Sequence, residues 1–476
     1  MKFKRFIGSF IDTPQLGEVR ILHNYCLVVN EEGFISSFSL RTSLPNESDS
    51  DTDTEIETIF VPKGSFLLPS FCDLHLHAPQ FLYQGTGLHL PLMQWLDQYA
   101  FRAEERMDSD PGLARRVYEK LARRLKEYGT GSVLLFGTIK EETNLILADV
   151  MQRAGIRAFV GKLSMDISSR KTYVEGSAQS SLDSARSFIE RLRSAQAEMK
   201  PAQRLVEPVL TPRFVPTCSD ELLAGLGEMS EALDVRVQSH LAEARDQVDW
   251  VQRERGIPDI DVFDKHKLLT SRTIQAHCTF LSKPCLSRLH SRETGIAHCP
   301  LSNSYFSSKP FPLREALREG VKVGLGTDVA GGYSADIMNA MRSAVMVSRM
   351  RVGERRERHL EIEKREGTGE EEEGEEDVSI NWKEALYLAT RGGANTLGLP
   401  EGAGSFQVGA PFDAQLINLY DETTRAGVGP LDFFDPPSEE QPITEEMLEK
   451  WWCIGDTRNR SGLWVQGRRC FPTPTP

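Results

Sequence analysis

Phe71-Cys72-Asp73-Leu74-His75-Leu76-His77-Ala78-Pro79-Gln80 is the stretch whose reading decides the fold. It follows the apolar run Phe66-Leu67-Leu68-Pro69, which reads as a buried strand. Residues two apart on a strand share a side. His75 and His77 would therefore aim two imidazoles at one point, as a divalent metal asks of two of its ligands. Two surface histidines on a half-exposed strand would show the same spacing. The motif is a metal site only if the rest of the chain supplies the remaining ligands.

Downstream, short apolar runs alternate with helical patterns. Strands are expected at 131–137, 157–165, 205–213, 235–240, 273–278, 295–299 and 321–328, and helices at 143–153, 180–198, 219–233 and 244–255. With the opening strand this makes eight strand-then-helix units, which fit an α/β fold of the (β/α)8 TIM-like barrel type better than an open sheet. Both ends of the chain are strand-rich: Glu18–Leu22 and Tyr25–Val29 at one, and Gly404–Gly409, Phe412–Leu419 and Gly462–Phe471 at the other. The expected layout is a small β-sandwich domain built from both termini (1–64 and 401–476) beside a catalytic barrel (65–400). A helix over 336–349 and another over 382–397 complete the barrel, separated by an acidic disordered insertion at about 355–377.

The chain has 476 residues, 39% hydrophobic and 26% charged, as expected of a soluble globular protein. The formal net charge of −13 is unevenly spread. Residues 47–57 hold six acids and no base, and residues 361–377 hold ten acids and two bases, so the remaining body is close to neutral. No basic patch supports nucleic-acid binding, and no apolar run approaches a membrane span. The segment 46–57 has too little apolar content to pack and is expected to be a solvated loop. Eight cysteines without any C-x-x-C pair suit reduced thiols and a cytoplasmic location, and the N-terminus lacks the pattern of a secretory signal.

Five of the ten histidines fall at expected strand ends: His75, His77, His240, His277 and His298. Asp328 ends the eighth strand. In such a barrel the carboxyl ends of the strands open on one face, where active sites form. Imidazoles plus one carboxylate suit zinc, which lowers the pKa of a coordinated water to about 7. Iron or manganese would accept the same ligands. Glu243, three residues beyond His240, would stand at the same face and could move protons, although an acid in the first turn of a helix is also favoured by the helix dipole. Cys278 and Cys299 adjoin site histidines but should point away from them and pack.

Pro69 to His77, with His240, His277 and Asp328, resembles the amidohydrolase superfamily. His77-Ala78-Pro79-Gln80, Phe159-Val160-Gly161-Lys162, Thr211-Pro212-Arg213-Phe214, Gln238-Ser239-His240, Ile296-Ala297-His298-Cys299-Pro300 and the run Gly324 to Ser334 are similar to the eukaryotic-type guanine deaminases within it. The resemblance spans about 65–350 and resumes from about 380. It implies hydrolytic deamination of guanine to xanthine and ammonia by a homodimer with one zinc per chain. The metal would be held by His75, His77, His240 and Asp328. His277, Asp328 and Glu243 would be the catalytic groups. Gln80, Arg213 and Phe214 would bind the purine, with His77, His240, Glu243 and Asp328 completing its pocket. His298 would either support the site or touch the substrate. Ser70 stands where the superfamily usually has glycine. Other readings are an amidohydrolase acting on another aminopurine or a triazine, or an inactive scaffold barrel.

Overall fold

The computed structural model describes residues 2–41, 56–366, 377–438 and 442–472. Eighteen strands are found among them, in three sheets. Strands β1 (Phe3–Asp12), β2 (Arg20–Val29), β3 (Ile35–Leu40), β4 (Ile56–Phe60) and β5 (Ser65–Pro69) precede the barrel. The barrel strands are β6 (Phe71–His77), β7 (Thr130–Phe136), β8 (Arg157–Ser164), β9 (Val206–Pro212), β10 (Arg236–Leu241), β11 (Thr273–His277), β12 (Gly295–His298) and β13 (Val323–Leu325). After it come β14 (Ala414–Asn418), a short β15–β16 pair (Tyr420–Asp421 and Ala426–Gly427), β17 (Arg460–Val465) and β18 (Arg468–Phe471).

Strands β6 to β13 pair in parallel in chain order. Just beyond β13, Asp328 N donates to His75 O at 2.8 Å and His77 N to Val329 O at 2.9 Å. These bonds join the last strand's exit to the first strand and close the barrel. The helices outside it follow amphipathic patterns: Asn144, Leu147, Ala148 and Met151 lie on the buried face of the helix Glu141–Ala154.

The terminal strands form one eight-stranded sheet, ordered β18-β17-β14-β5-β1-β2-β3, with β4 also on β1. The expected sandwich is thus one continuous sheet whose first strand divides between two parallel partners, β4 along Phe3–Ile7 and β5 at Phe10. Phe6, Phe10, Phe406, Phe412 and Trp464 fill its core.

Several expectations change. Ser65–Pro69 joins this terminal sheet through β1 and β14, so the barrel begins after Ser70. An apolar run shows burial but not which sheet buries it. The two short strands expected at 18–29 are one strand, β2. Gly404–Gly409 is a series of turns, with Gly404 and Gly409 at φ 78° and 89°; Phe406 is buried there without a strand. The helix expected over 336–349 runs Ile337–Glu366 and takes in the first half of the expected insertion, anchored where Arg351 and Arg355 bond Glu315. The rest of the insertion, and the acidic loop up to residue 55, lie outside the described residues. The helix over 382–397 breaks at Thr390 into two.

Candidate metal centre and active site

Asp73, His75 and His77 alternate along β6 and share its inner face. Asp73, fully buried, accepts from Thr327 N at 3.0 Å, Thr327 Oγ1 at 2.6 Å and His75 N at 3.2 Å, which ties β6 to the exit of β13. Ser70 fits because Gly131 faces it: a Cβ at Gly131 would lie 2.2 Å from Ser70 Oγ.

The ligand atoms of His75, His77, His240 and Asp328 lie within 4.8 Å of one another, all buried. His75 Nε2 is 3.1 Å and His77 Nε2 is 3.4 Å from Asp328 Oδ1, and His77 Nε2 is 3.1 Å from His240 Nε2. Phe136, at the end of β7, packs its ring against all three imidazoles at 4.7–4.8 Å between centroids. His240 is oriented by its Nδ1, 2.6 Å from Arg213 O.

Burial, then the neighbouring imidazoles, hold His77 and His240 well below the ordinary histidine range. Burial raises Asp328, but His75 and His277 outweigh it, so the carboxyl stays below its usual value. His77 and His240 held toward the neutral form beside a carboxylate held toward the ionised one, with His75 Nε2 buried and close to that carboxylate but making no hydrogen bond of good geometry, are a donor set that fits a divalent cation. Cys299 lies near His75 and His277 as well. Its thiol, expected to point away from the site histidines, instead faces them; it is pushed far up by burial and donates to Ala297 O at 3.4 Å. Cys278 packs in the hydrophobic core, its thiol likewise pushed far up by burial.

His277, the last residue of β11, and Asp328, three residues beyond β13, stand at φ 68° and 49°, left-handed positions that cost side chains energy and cluster at functional sites. His277 Nδ1 lies 2.9 Å from Asn303 Oδ1, while its Nε2 lies 3.7 Å from Glu243 Oε1 and 3.8 Å from Asp328 Oδ2. Burial lowers His277 to about 4 against the pull of Asp328. Glu243 is pushed well above the carboxylate range by burial, then by Asp328. The two carboxyls are thus driven apart, one toward the acid form and one toward the base. Gly331 lets the backbone approach: a Cβ there would come 2.8 Å from Asp328 Oδ2.

Above these groups is a narrow cavity with about 350 Å³ of atom-free space. His77, Gln80, Arg213, Phe214, His240, Glu243 and Asp328 line it, together with Leu92, Trp95, Leu96 and Phe306. His298 lies apart from this cluster. Its ring is 5.0 Å from that of Phe311, and it lines a separate cavity with Pro310, Val347 and Met350.

Sequence reading missed two buried residues. Asn303 sits in the short helix Pro300–Phe306, which follows β12 and is not among the expected helices. Glu104 sits in the helix Phe101–Ser109 and holds both Gln80 and Arg213. An acid in a charged helical stretch carries no sequence mark of burial.

The chain matches the amidohydrolase family over residues 66–470. Guanine deaminase of Dictyostelium discoideum is 33% identical over 476 residues, covering 98% of each chain. Guanine deaminase of Homo sapiens is 34% identical over 475 residues, covering 98% of this chain and 96% of that protein. Among solved structures, guanine deaminase from C. acetobutylicum with bound guanine in the active site superposes with a TM-score of 0.82 at 28% identity, covering 99% of this chain and 100% of that one.

Proposed function

We infer the activity from a premise that is itself plain: the chain belongs to the amidohydrolase family. It catalyses the hydrolytic deamination of guanine to xanthine and ammonia. The observation that carries this reading is one cavity lined together by Gln80, Arg213, Phe214, Glu243 and three members of the ligand cluster, His77, His240 and Asp328. A permanent donor such as arginine suits a ring carbonyl, which adenine lacks.

We propose zinc as the metal, held by His75, His77, His240 and Asp328. When bound it supplies the Lewis acidity that makes water reactive near neutral pH. Asp328 takes the proton from the attacking water at its carboxylate. His277, neutral and fixed through Nδ1, offers Nε2 as an acceptor to the same water and orients it. Glu243, favoured in its protonated form, gives its proton to the purine nitrogen beside the reacting carbon, takes up the remaining proton of the added hydroxyl and passes it to the leaving amine; the proton held on Asp328 then restores Glu243 to its acid form. Gln80 and Arg213 hold the carbonyl edge, Phe214 lies along the ring, and Leu92, Trp95, Leu96 and Phe306 keep other water out.

We further propose residues 1–70 and 401–476 as the β domain and 71–400 as the barrel, and a homodimeric assembly. We place the enzyme in the cytosol, because all eight cysteines are free thiols. No helix among the described residues is long and apolar enough to cross a membrane.

The test is to assay the purified chain for xanthine and ammonia from guanine and to measure its zinc content in parallel. Negligible ammonia from guanine beside good turnover of another aminopurine or a triazine would overturn the substrate.

A further inference from the structure

Glu104 belongs to none of the sequence motifs, yet it is completely buried beside the cavity. Its carboxylate takes three hydrogen bonds: Arg213 Nη1 to Oε2 at 2.5 Å, Arg213 Nη2 to Oε1 at 3.0 Å and Gln80 Nε2 to Oε1 at 2.9 Å. Phe101, one helical turn earlier, lies under the Arg213 guanidinium at 4.8 Å. Gln80 Oε1 accepts from Ala330 N at 3.2 Å, so its amide cannot turn over without breaking both of its bonds.

Two consequences follow for what the cavity offers. After the clamp, Gln80 keeps one free N–H and Arg213 keeps the N–H groups not aimed at Glu104. The face is rich in donors, as a carbonyl requires. The positive charge of Arg213 is also cancelled where it stands. Burial works against that charge, and Glu104, followed by Tyr173 and Tyr83, offsets the penalty so that the guanidinium stays above its usual value. A buried guanidinium without a counter-charge would instead be satisfied by an anionic ligand.

We propose that Glu104 is a specificity-determining positioning residue: by fixing Gln80 and neutralising Arg213, it makes the pocket select a neutral, carbonyl-bearing purine and release an anionic one. The inference rests on Gln80 and Arg213 being the base-binding groups. Its chemistry bears on product release, because xanthine gives up a proton more readily than guanine and becomes an anion in mildly alkaline solution.

The experiment compares the zinc-loaded full chain with Glu104→Gln and Glu104→Asp, using guanine as substrate and xanthine as inhibitor in mildly alkaline buffer. For Glu104→Gln, KM for guanine should rise about tenfold while kcat stays within about threefold, and the xanthine inhibition constant should fall about tenfold. Glu104→Asp keeps the charge with a shorter reach, so KM should rise without tighter xanthine inhibition. Unchanged KM and inhibition in Glu104→Gln, a loss in kcat alone, or equal tightening in both variants would each overturn the proposal. Should Glu104→Gln fail to fold, the wild type itself tests the idea: its xanthine inhibition constant should rise as xanthine loses its proton in alkaline solution, and a constant that stays level or falls overturns the proposal. If the wild type forms no xanthine, the activity reading fails. Calorimetric binding of guanine and xanthine to wild type and Glu104→Gln still tests Glu104, and an unchanged ratio overturns its role.

Discussion

His277 Nδ1 stands 2.9 Å from Asn303 Oδ1, a buried contact joining the end of β11 to the helix that follows β12. The carbonyl oxygen of an amide can only accept, so the ring carries its hydrogen on Nδ1 and leaves Nε2 bare toward Glu243 and Asp328. Asn303→Leu should free the ring to change tautomer. We expect kcat to fall about 10- to 100-fold with KM within about threefold. Steady-state kinetics with zinc analysis checks this, and a loss that tracks loss of zinc would refute it.

Glu243→Gln keeps the shape of the side chain and removes the proton it carries. Zinc content should be unchanged, because Glu243 is outside the four-ligand cluster, while kcat should drop by about 10²- to 10⁴-fold. Turnover near that of the wild type would remove Glu243 from the proton path.

Metal removal should be reversible and should cost stability. Stripping the protein with a chelator leaves three imidazoles and a carboxylate buried around an unneutralised centre. Activity should vanish, return with added zinc, and be accompanied by a lower midpoint of thermal unfolding in the stripped protein. An equal midpoint with and without metal would argue against a shared four-ligand site.

Gly131 and Ser70 should behave as one unit. Gly131→Ala puts a methyl group 2.2 Å from Ser70 Oγ and is expected to cost about 1–3 kcal/mol. Ser70→Gly should recover most of that loss in the double variant. Urea unfolding of the four proteins gives the coupling, and simple additivity would contradict it.

The sequence displayed the parts of this molecule that follow a local period. The spacing of His75 and His77 is a period-two signal, the barrel strands are short continuous apolar runs, and the helices at 141–154 and 220–233 follow the period of an α-helix. What it hid depends on tertiary neighbours. Ser65–Pro69 and Phe71–His77 are apolar in the same way, and only pairing with β14 or β7 separates them. Glu104 resembles Glu105 in sequence, yet Glu105 pairs with Arg170 in a partly exposed contact while Glu104 is enclosed by Arg213 and Gln80. The long helix passed beyond its expected end because Glu315, on another element, offers its arginines a partner.

The seam between β6 and the exit of β13 also sets a schedule. Its hydrogen bonds link His75 and His77 to residues 328 and 329, which are made about 250 residues later. At about 5–20 residues per second a ribosome needs on the order of 10–50 s to cover that interval. Throughout it the first two histidines exist without their carboxylate, and a nascent or truncated chain cannot assemble the centre. Catalytic competence therefore arrives in one step, late in synthesis, when the final barrel strand docks.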